Sequence, residues 1–582
     1  MTGAHPRRPR FARWAALLAA ALFGLIYACA LGRGFTIDHL RNDGAQYLVT
    51  ARHIQAGLGV RTDLQTYPAQ QGGAPPVVQR VWPPMYPLAL ATLAELSGHA
   101  LADVSVRLSL WCVFMIGALI WLIALDSGAG AVTAAILAGL WWALPMPILV
   151  AGGGQSESLF TLFLMAALLV LGWRGREPTA MGWAAASLAG AFFGLAFLTR
   201  YQGIAFVAVL GLFAIATLWQ RRRLLPVLMA AALPMMVVAV QLLVNWLATG
   251  SARAGSTRRG EFVMGELLWQ VQFGLRSAFG LDADWPTPAP AMLAIFCFLG
   301  WITGASLWRL ARARLRARQL LPGPAGQDIH GSGGIASPLL AGPGRSGLAV
   351  VARWPLPLLA GALAAALLAL HLALAVMASS TYPFEARYME ATVPLVLLAV
   401  AGIASGLRRP QEARLARGSR RILAGVMLAC WALAIGAAWR DQGLPGSPAP
   451  LALNVAVRSA LAGPVGARTL REWLRENTDA GSGLLAADGQ VLGMLIERPV
   501  AALTEPAYSS ITWTEERATE LACASHARWL IVFERLLAGQ AKGRDADDVI
   551  ARLARGDTPA GWPTVHRSAE FRILEVCGAP SR

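Results

Sequence analysis

Lysine is nearly missing from this chain: of 50 Lys and Arg residues, only Lys542 is a lysine. Charge of either sign is scarce, at 14% of 582 residues, against about 25% in an ordinary soluble protein. Cysteine is rare too, with six residues and no CxxC pair, which removes the usual structural zinc and redox motifs. Neither a glycine-rich phosphate loop nor the spacing of a hydrolase triad is found in the C-terminal region. What the chain has instead is apolar residue, 56% of the total, with a mean hydropathy of +0.51. A soluble globular enzyme and a disordered chain are both excluded by this balance. The net charge of +17 would suggest nucleic acid in a soluble protein. Here the arginines gather at the ends of apolar blocks, as orientation in a membrane requires.

A span needs about 20 mostly apolar residues. Such blocks lie near 14–33, 104–124, 132–150, 157–173, 181–199, 202–219, 224–247, 289–308, 354–377, 388–405 and 422–439, about eleven in all. The run 84–97 is too short and opens with prolines, and it reads as a helix lying at the interface. Arginine clusters precede the first block and follow the fourth, sixth, eighth and tenth, all on one side if the count is eleven. The positive-inside rule makes that side cytoplasmic, with the N-terminus inside and the C-terminus outside. Long outer segments are then 34–103, 248–288 and the tail from about 440. The inner loop 309–353 is rich in Gly, Pro and Ser. Within 248–288, the run EFVMGELLWQVQFGLRSAF reads as an amphipathic interfacial helix.

From about residue 465 the composition becomes that of a soluble domain. LLAADG, PVAALT, RWLIVFE and FRILEV read as strands; VGARTLREWLRENT, TEERATELACASHA and ADDVIARLARG read as helices. Their alternation predicts a small α/β domain. The expected organisation is a membrane domain over 1–440 with its first outer loop at 34–103, a linker at 441–464 and an outer α/β domain at 465–582. Cys523 and Cys577 fall in that last domain, where an oxidising compartment would permit a disulfide.

The first outer loop contains DGAQYLVTARHIQAG, a helical stretch opened by Asp43 with Tyr47 one turn on and on the same face. A carboxylate there can simply cap free N–H groups. The stiff WPPMYP run then leads the chain back to the membrane. Glu157 follows GGGQS at the outer start of the fourth block, and can be an acidic first turn or a second acid in a cavity. Arg200 and Arg387 sit on the outside, against the positive-inside trend, each followed by a tyrosine, Tyr201 and Tyr388. Arginine makes bidentate contacts to phosphate, but each can also snorkel or form an ion pair, as Arg387 could with Glu385 or Glu390. Arg80, beside Trp82, is a third candidate cation. Asp38, His39 and Asp43 could form a metal cluster, although a hard cation would prefer oxygen ligands alone.

In order, these motifs are a span, a loop with Asp43 and Tyr47, the PPxYP turn, GGGQSESLF, FLTRYQGI and ARYMEATVP. Together they resemble the polytopic GT-C glycosyltransferases, and within them the group of protein O-mannosyltransferases and lipid A aminoarabinose transferases. The resemblance runs over roughly 14–440. It implies an α-helical, multi-pass protein of the bacterial inner membrane with a periplasmic C-terminal domain. It also implies an inverting transfer from a polyprenyl-phosphate-linked sugar to a lipid, glycan or protein acceptor, without cofactor or metal. On that resemblance Asp43 is the base, Glu157 a second catalytic acid, and Tyr47, Arg80, Arg200, Arg387 and Tyr388 bind substrate. The aminoarabinose transferases carry a lysine in the first loop that this chain lacks; Arg80 stands available in its place, and the sugar stays open. Two other classes remain: a transporter or flippase, and a non-catalytic scaffold. Transporters favour paired repeats and ionisable groups at mid-membrane, whereas here those groups lie at the outer boundary and no repeat is present.

Overall fold

The computed structural model describes residues 10–66, 74–127, 129–174, 180–207, 210–211, 225–249, 363–364, 366–367, 390–406, 451–462, 469–479, 481–487, 489–503, 512–533, 536, 541 and 544–577. Blocks 289–308 and 422–439, the runs 309–353 and 261–279, nearly all of 354–377, most of 202–219, and Arg387 and Tyr388 lie outside the described residues.

The described chain is mostly helical, with several apolar helices, as a membrane protein requires. Three are long and apolar enough to cross a bilayer by themselves. They are α1 (Arg10–Gly32), α4 (Leu101–Asp126) and the helix Leu225–Thr249. The block expected as one span at 132–150 is instead two helices, α5 (Ala131–Ala143) and α6 (Pro145–Gly152), bent by 47°. Proline supplies the break: Pro145 has no N–H to continue the ladder and takes the first turn of the second helix, where none is needed. The shorter apolar helices α7 (Glu157–Arg174) and α8 (Ala180–Thr199) follow, and the helix Leu225–Thr249 is α9. α10 is Thr392–Gly406. Small residues bring these helices close, as is usual between membrane helices. A Cβ on Gly190 of α8 would stand 2.5 Å from the Ala230 carbonyl oxygen of α9.

Between α1 and α4 the first loop builds two further helices. α2 (Asn42–Gln55) is buried along most of its length. α3 (Met85–Ser97) forms over the run 84–97, with Leu88, Leu93 and Leu96 exposed. Its other face buries Tyr86, Leu90, Ala91 and Ala94 against α2 and α4. Short strands β1 (Arg61–Thr62) and β3 (Val77–Val78) pair antiparallel beneath them.

The C-terminal region forms an α/β unit at the strands and helices its sequence suggests. Its sheet has six strands in the order β2-β5-β4-β6-β8-β7. They are β4 (Gly483–Ala486), β5 (Val500–Ala502), β6 (Ala527–Phe533), β7 (Thr564–Arg567) and β8 (Phe571–Glu575), with β2 (Leu64–Gln65) contributed by the first loop. β2 runs parallel to β5, with Leu64 opposite Val500. Among the described residues the helices that accompany the sheet are α11 (Ala452–Ala462), α12 (Leu470–Asn477), α13 (Gln490–Ile496), α14 (Glu515–Ala524) and a short α15 (Val549–Ala554). One apolar cluster is continuous from Leu48 and Tyr86 of the loop helices through Leu64 to Val491, Trp529 and Phe571. The other sheet face packs on α14 and α15 with Trp513 and Trp562. Cys523 and Cys577 are joined by a disulfide from α14 to the end of β8.

Candidate active site

Three glycines let α2 approach the membrane helices. Gly152, Gly153 and Gly154 link α6 to α7, and Arg41 N–H donates to the Gly153 carbonyl at 3.1 Å. A Cβ on Gly44 would lie 2.5 Å from that same carbonyl oxygen, and one on Gly152 would lie inside the Phe35 ring at 1.9 Å. Close backbone approach of this kind tolerates no side chain. The GGGQSES run is therefore a docking seat for α2 as much as the start of a helix.

That seat brings Tyr47 of α2 to Ser156, just before α7, and near Arg200, just after α8. The Tyr47 hydroxyl is 2.8 Å from Ser156 Oγ. Ser156 Oγ also accepts from Arg200 Nη1 at 3.2 Å, and Arg200 Nη1 lies 2.9 Å from Glu157 Oε1. Tyr47, Ser156, Glu157 and Arg200 are thus one connected group. Glu157 and Arg200 are 2% and 3% exposed. Asp43 is 2% exposed at the first turn of α2. Burial pushes the Tyr47 hydroxyl well above the usual phenol range; Arg200 opposes that, while the carboxylates of Asp43 and Glu157 add to it. All three charges therefore converge on Tyr47. Glu390, 1% exposed just before α10, accepts from Ser158 Oγ at 2.9 Å and feels the charges of Glu157 and Arg200.

Local sequence explains how each group is aimed. α8 ends at Thr199, and Arg200 is extended before a 3-10 turn at Tyr201–Ala205. Gly203 makes that turn possible, since a Cβ there would stand 2.6 Å from the Phe197 nitrogen. Arg200 Nε donates to Gln202 Oε1 at 3.0 Å, and the guanidinium lies 5.8 Å from the Trp82 ring centroid. Tyr201 points the other way and donates to the Arg80 carbonyl at 3.1 Å. The RY pair therefore splits: arginine enters the buried group and tyrosine pins the first loop. Arg80 itself is half-buried. From the WPPMYP turn, Tyr86 packs edge-on to Tyr47 at 4.9 Å and bonds Ser109 Oγ at 2.8 Å.

Asp38 and His39 are drawn elsewhere. Asp38 pairs with Arg458 of α11 at 2.6 Å. The His39 ring accepts from the Thr36 N–H at 3.0 Å and lies edge-on to Phe35. Sequence reasoning passed over Ser156, which bridges Tyr47 to Arg200, and Gln46. Gln46 accepts from Thr62 at 3.3 Å and Gln79 at 3.0 Å and donates to Thr66, tying both loop strands to α2. Ser156 had a signal in the polar run ahead of Glu157; Gln46 had none beyond its place beside Tyr47.

No family model matches the chain, and no curated protein matches it. Among solved structures, ArnT from Cupriavidus metallidurans bound to undecaprenyl phosphate is 13% identical, with 98% of this chain and 99% of that one covered and a TM-score of 0.49. The oligosaccharyltransferase of Archaeoglobus fulgidus is 12% identical over 93% of this chain and 72% of that one, at 0.48. Arabinofuranosyltransferase AftD from Mycobacteria is 13% identical over 98% of this chain and 42% of that one, at 0.45. The last two are sugar-transferring enzymes by name. Likeness at this level assigns no chemistry.

Proposed function

We propose that the protein is an inverting glycosyltransferase that moves a sugar from a polyprenyl-phosphate donor to a lipid, glycan or protein acceptor. The observation that carries this reading is the buried group around Tyr47. A loop helix carries one carboxylate, Asp43, one turn before Tyr47, and the Tyr47 hydroxyl feels it together with the buried Glu157–Arg200 pair at the ends of apolar helices. A base must reach the proton it removes, and a lipid phosphate must meet cations at the membrane boundary. In this reaction Asp43 takes the proton of the acceptor hydroxyl as its oxygen bonds to the anomeric carbon. The bond from that carbon to the phosphate oxygen breaks, and the polyprenyl phosphate leaves with the electron pair. Its charge is met by Arg200, with Arg80, Arg387 and Tyr388 as further contacts; Glu157 holds Arg200 in place. Attack opposite the leaving phosphate inverts the sugar.

In the same proposal the chain crosses the bacterial inner membrane about eleven times, with the N-terminus cytoplasmic and the domain from 465 periplasmic. The Cys523–Cys577 disulfide suits that oxidising compartment.

The test is donor turnover by purified protein in reconstituted membranes, given polyprenyl-phosphate sugars with nucleotide sugars as the control and followed by mass spectrometry. We expect donor loss from polyprenyl phosphates alone, abolished in a folded Asp43→Asn variant. Wild-type turnover by folded Asp43→Asn would remove Asp43 as the base. Failure of every donor, with acceptor-containing membrane extract added, would reject the enzyme and leave a transporter or a scaffold.

A further inference from the structure

A cleft of about 410 Å³ opens in the C-terminal domain between α12 and the end of α13. Its walls are Arg471, Leu474, Arg475, Leu495, Ile496, Glu497 and Arg498. Three arginines and one carboxylate thus line it, and that exposed carboxylate lies 3.5 Å from Arg52 of α2. Arg471 donates to the Leu495 carbonyl at 3.4 Å, quieting the negative end of α13. Arg498 donates to Thr478 and, at 2.8 Å, to the Asp479 carbonyl. Partial burial holds Arg498 below the ordinary arginine range, offset in part by Asp479. Arg475 is exposed and makes no hydrogen bond or ion pair among the described residues. It also lies one turn from Arg471 on the same helix face, where like charges repel.

A cavity that keeps three arginines together, spends its own carboxylate on a neighbouring helix and leaves one guanidinium unpaired is short of negative charge. Arginine forks match the oxygens of a tetrahedral phosphate, while Leu474, Leu495 and Ile496 give the floor an apolar side. We propose that this cleft binds a phosphate ester, its oxygens on Arg471, Arg475 and Arg498 and its carbon portion on the leucine and isoleucine floor. The site lies near the far end of α2 from Asp43, where Arg52 also donates to the Met494 carbonyl at 3.2 Å. Along α2, Asp43 and Arg52 are separated by roughly 14 Å at 1.5 Å per residue. The cleft is therefore separate from the group around Tyr47, and its ligand chemistry does not depend on the reaction proposed for Asp43.

The test is isothermal titration of the full-length protein in a neutral maltoside detergent with inorganic phosphate and with glycerol 1-phosphate, at constant ionic strength. We expect saturable binding, tighter for the ester, weakened at least tenfold in Arg475→Ala and in Arg475→Gln. Arg555→Ala, in an exposed pair with Asp557 away from the cleft, is expected to bind as the wild type does. Thermal unfolding and an intact disulfide report that each variant is folded. Repeating the titration in phosphatidylglycerol and phosphatidylcholine nanodiscs separates the sources. Loss of phosphate binding only in phosphatidylglycerol assigns the site to a lipid headgroup; equal binding in both assigns it to a soluble phosphate ester. Absence of saturable binding by the wild type, or equal binding by folded Arg475→Ala, would overturn the proposal.

Discussion

Glu157 and Arg200 form an ion pair almost wholly out of solvent. Breaking such a pair costs about 3–5 kcal/mol, most of it the uncompensated charge that stays behind. Glu157→Ala is therefore expected to lower the thermal unfolding temperature in detergent far more than Glu157→Gln, whose amide oxygen still accepts from Arg200. Equal melting of the two would show that the guanidinium finds another partner. The residues of this group were legible to different degrees. Glu157 stood out as a charge opening an apolar block and Arg200 as a cation against the positive-inside trend; Asp43 and Tyr47, in a polar loop, were marked only by their order among the other motifs. Ser156 had only the polar run ahead of Glu157 to mark it, and Gln46 is an ordinary glutamine in a loop helix. Their importance lies in whom they touch, and the partner of Ser156 is 109 residues away at Tyr47.

At the scale of elements, α2 is held by shape before it is held by polar bonds. Gly44→Ala places a methyl group about 2.5 Å from the Gly153 carbonyl oxygen, where atoms cannot rest. α2 must then lift off its seat and carry Tyr47 away from Ser156. We expect Gly44→Ala to reduce sugar transfer at least tenfold while the C-terminal sheet stays intact, with hydrogen exchange faster over 42–55 than in the wild type. Exchange unchanged over that helix would mean the seat has room to give. Long apolar blocks were readable as helices because about 20 such residues admit few other structures. The bend between α5 and α6 was readable in principle from Pro145, yet mean hydropathy runs straight through it. β2 was not readable: two residues carry no alternation, and only the partner strand makes Leu64–Gln65 a strand at all.

Across the whole molecule, the first loop and the C-terminal domain share one apolar core and one sheet. Asn454 donates to the carbonyls of Ile37 and Leu40 at 3.0 and 2.7 Å, and Ser525 donates to Gln65 at 2.9 Å. The disulfide closes a loop of 54 residues within that domain. In the chain-entropy picture a loop of this size is worth about 4 kcal/mol. Cys523→Ser is accordingly expected to speed hydrogen exchange across β6 and β8 and, through the shared sheet, at β2. Faster exchange confined to residues 512–577 would show that the loop strand holds its place without the domain. Composition foretold an α/β unit near the C-terminus, because its strands and helices alternate locally. Two of the six strands are not among the four read from sequence: β7 (Thr564–Arg567), whose residues are mostly exposed and polar, and β2, because the sheet crosses from one end of the chain to the other.

That crossing sets an order of events during synthesis. Gln65 and Ser525 are separated by 460 residues. A ribosome adding about 5–20 residues per second needs roughly 20–90 s to pass from one to the other. Through that interval α2 has its glycine seat but lacks the sheet edge and the Asn454 contacts that complete its surroundings. A polypeptide released early, anywhere before β5, would insert its helices and still present an unfinished first loop. Completion of translation itself thus becomes the licence for the site to assemble.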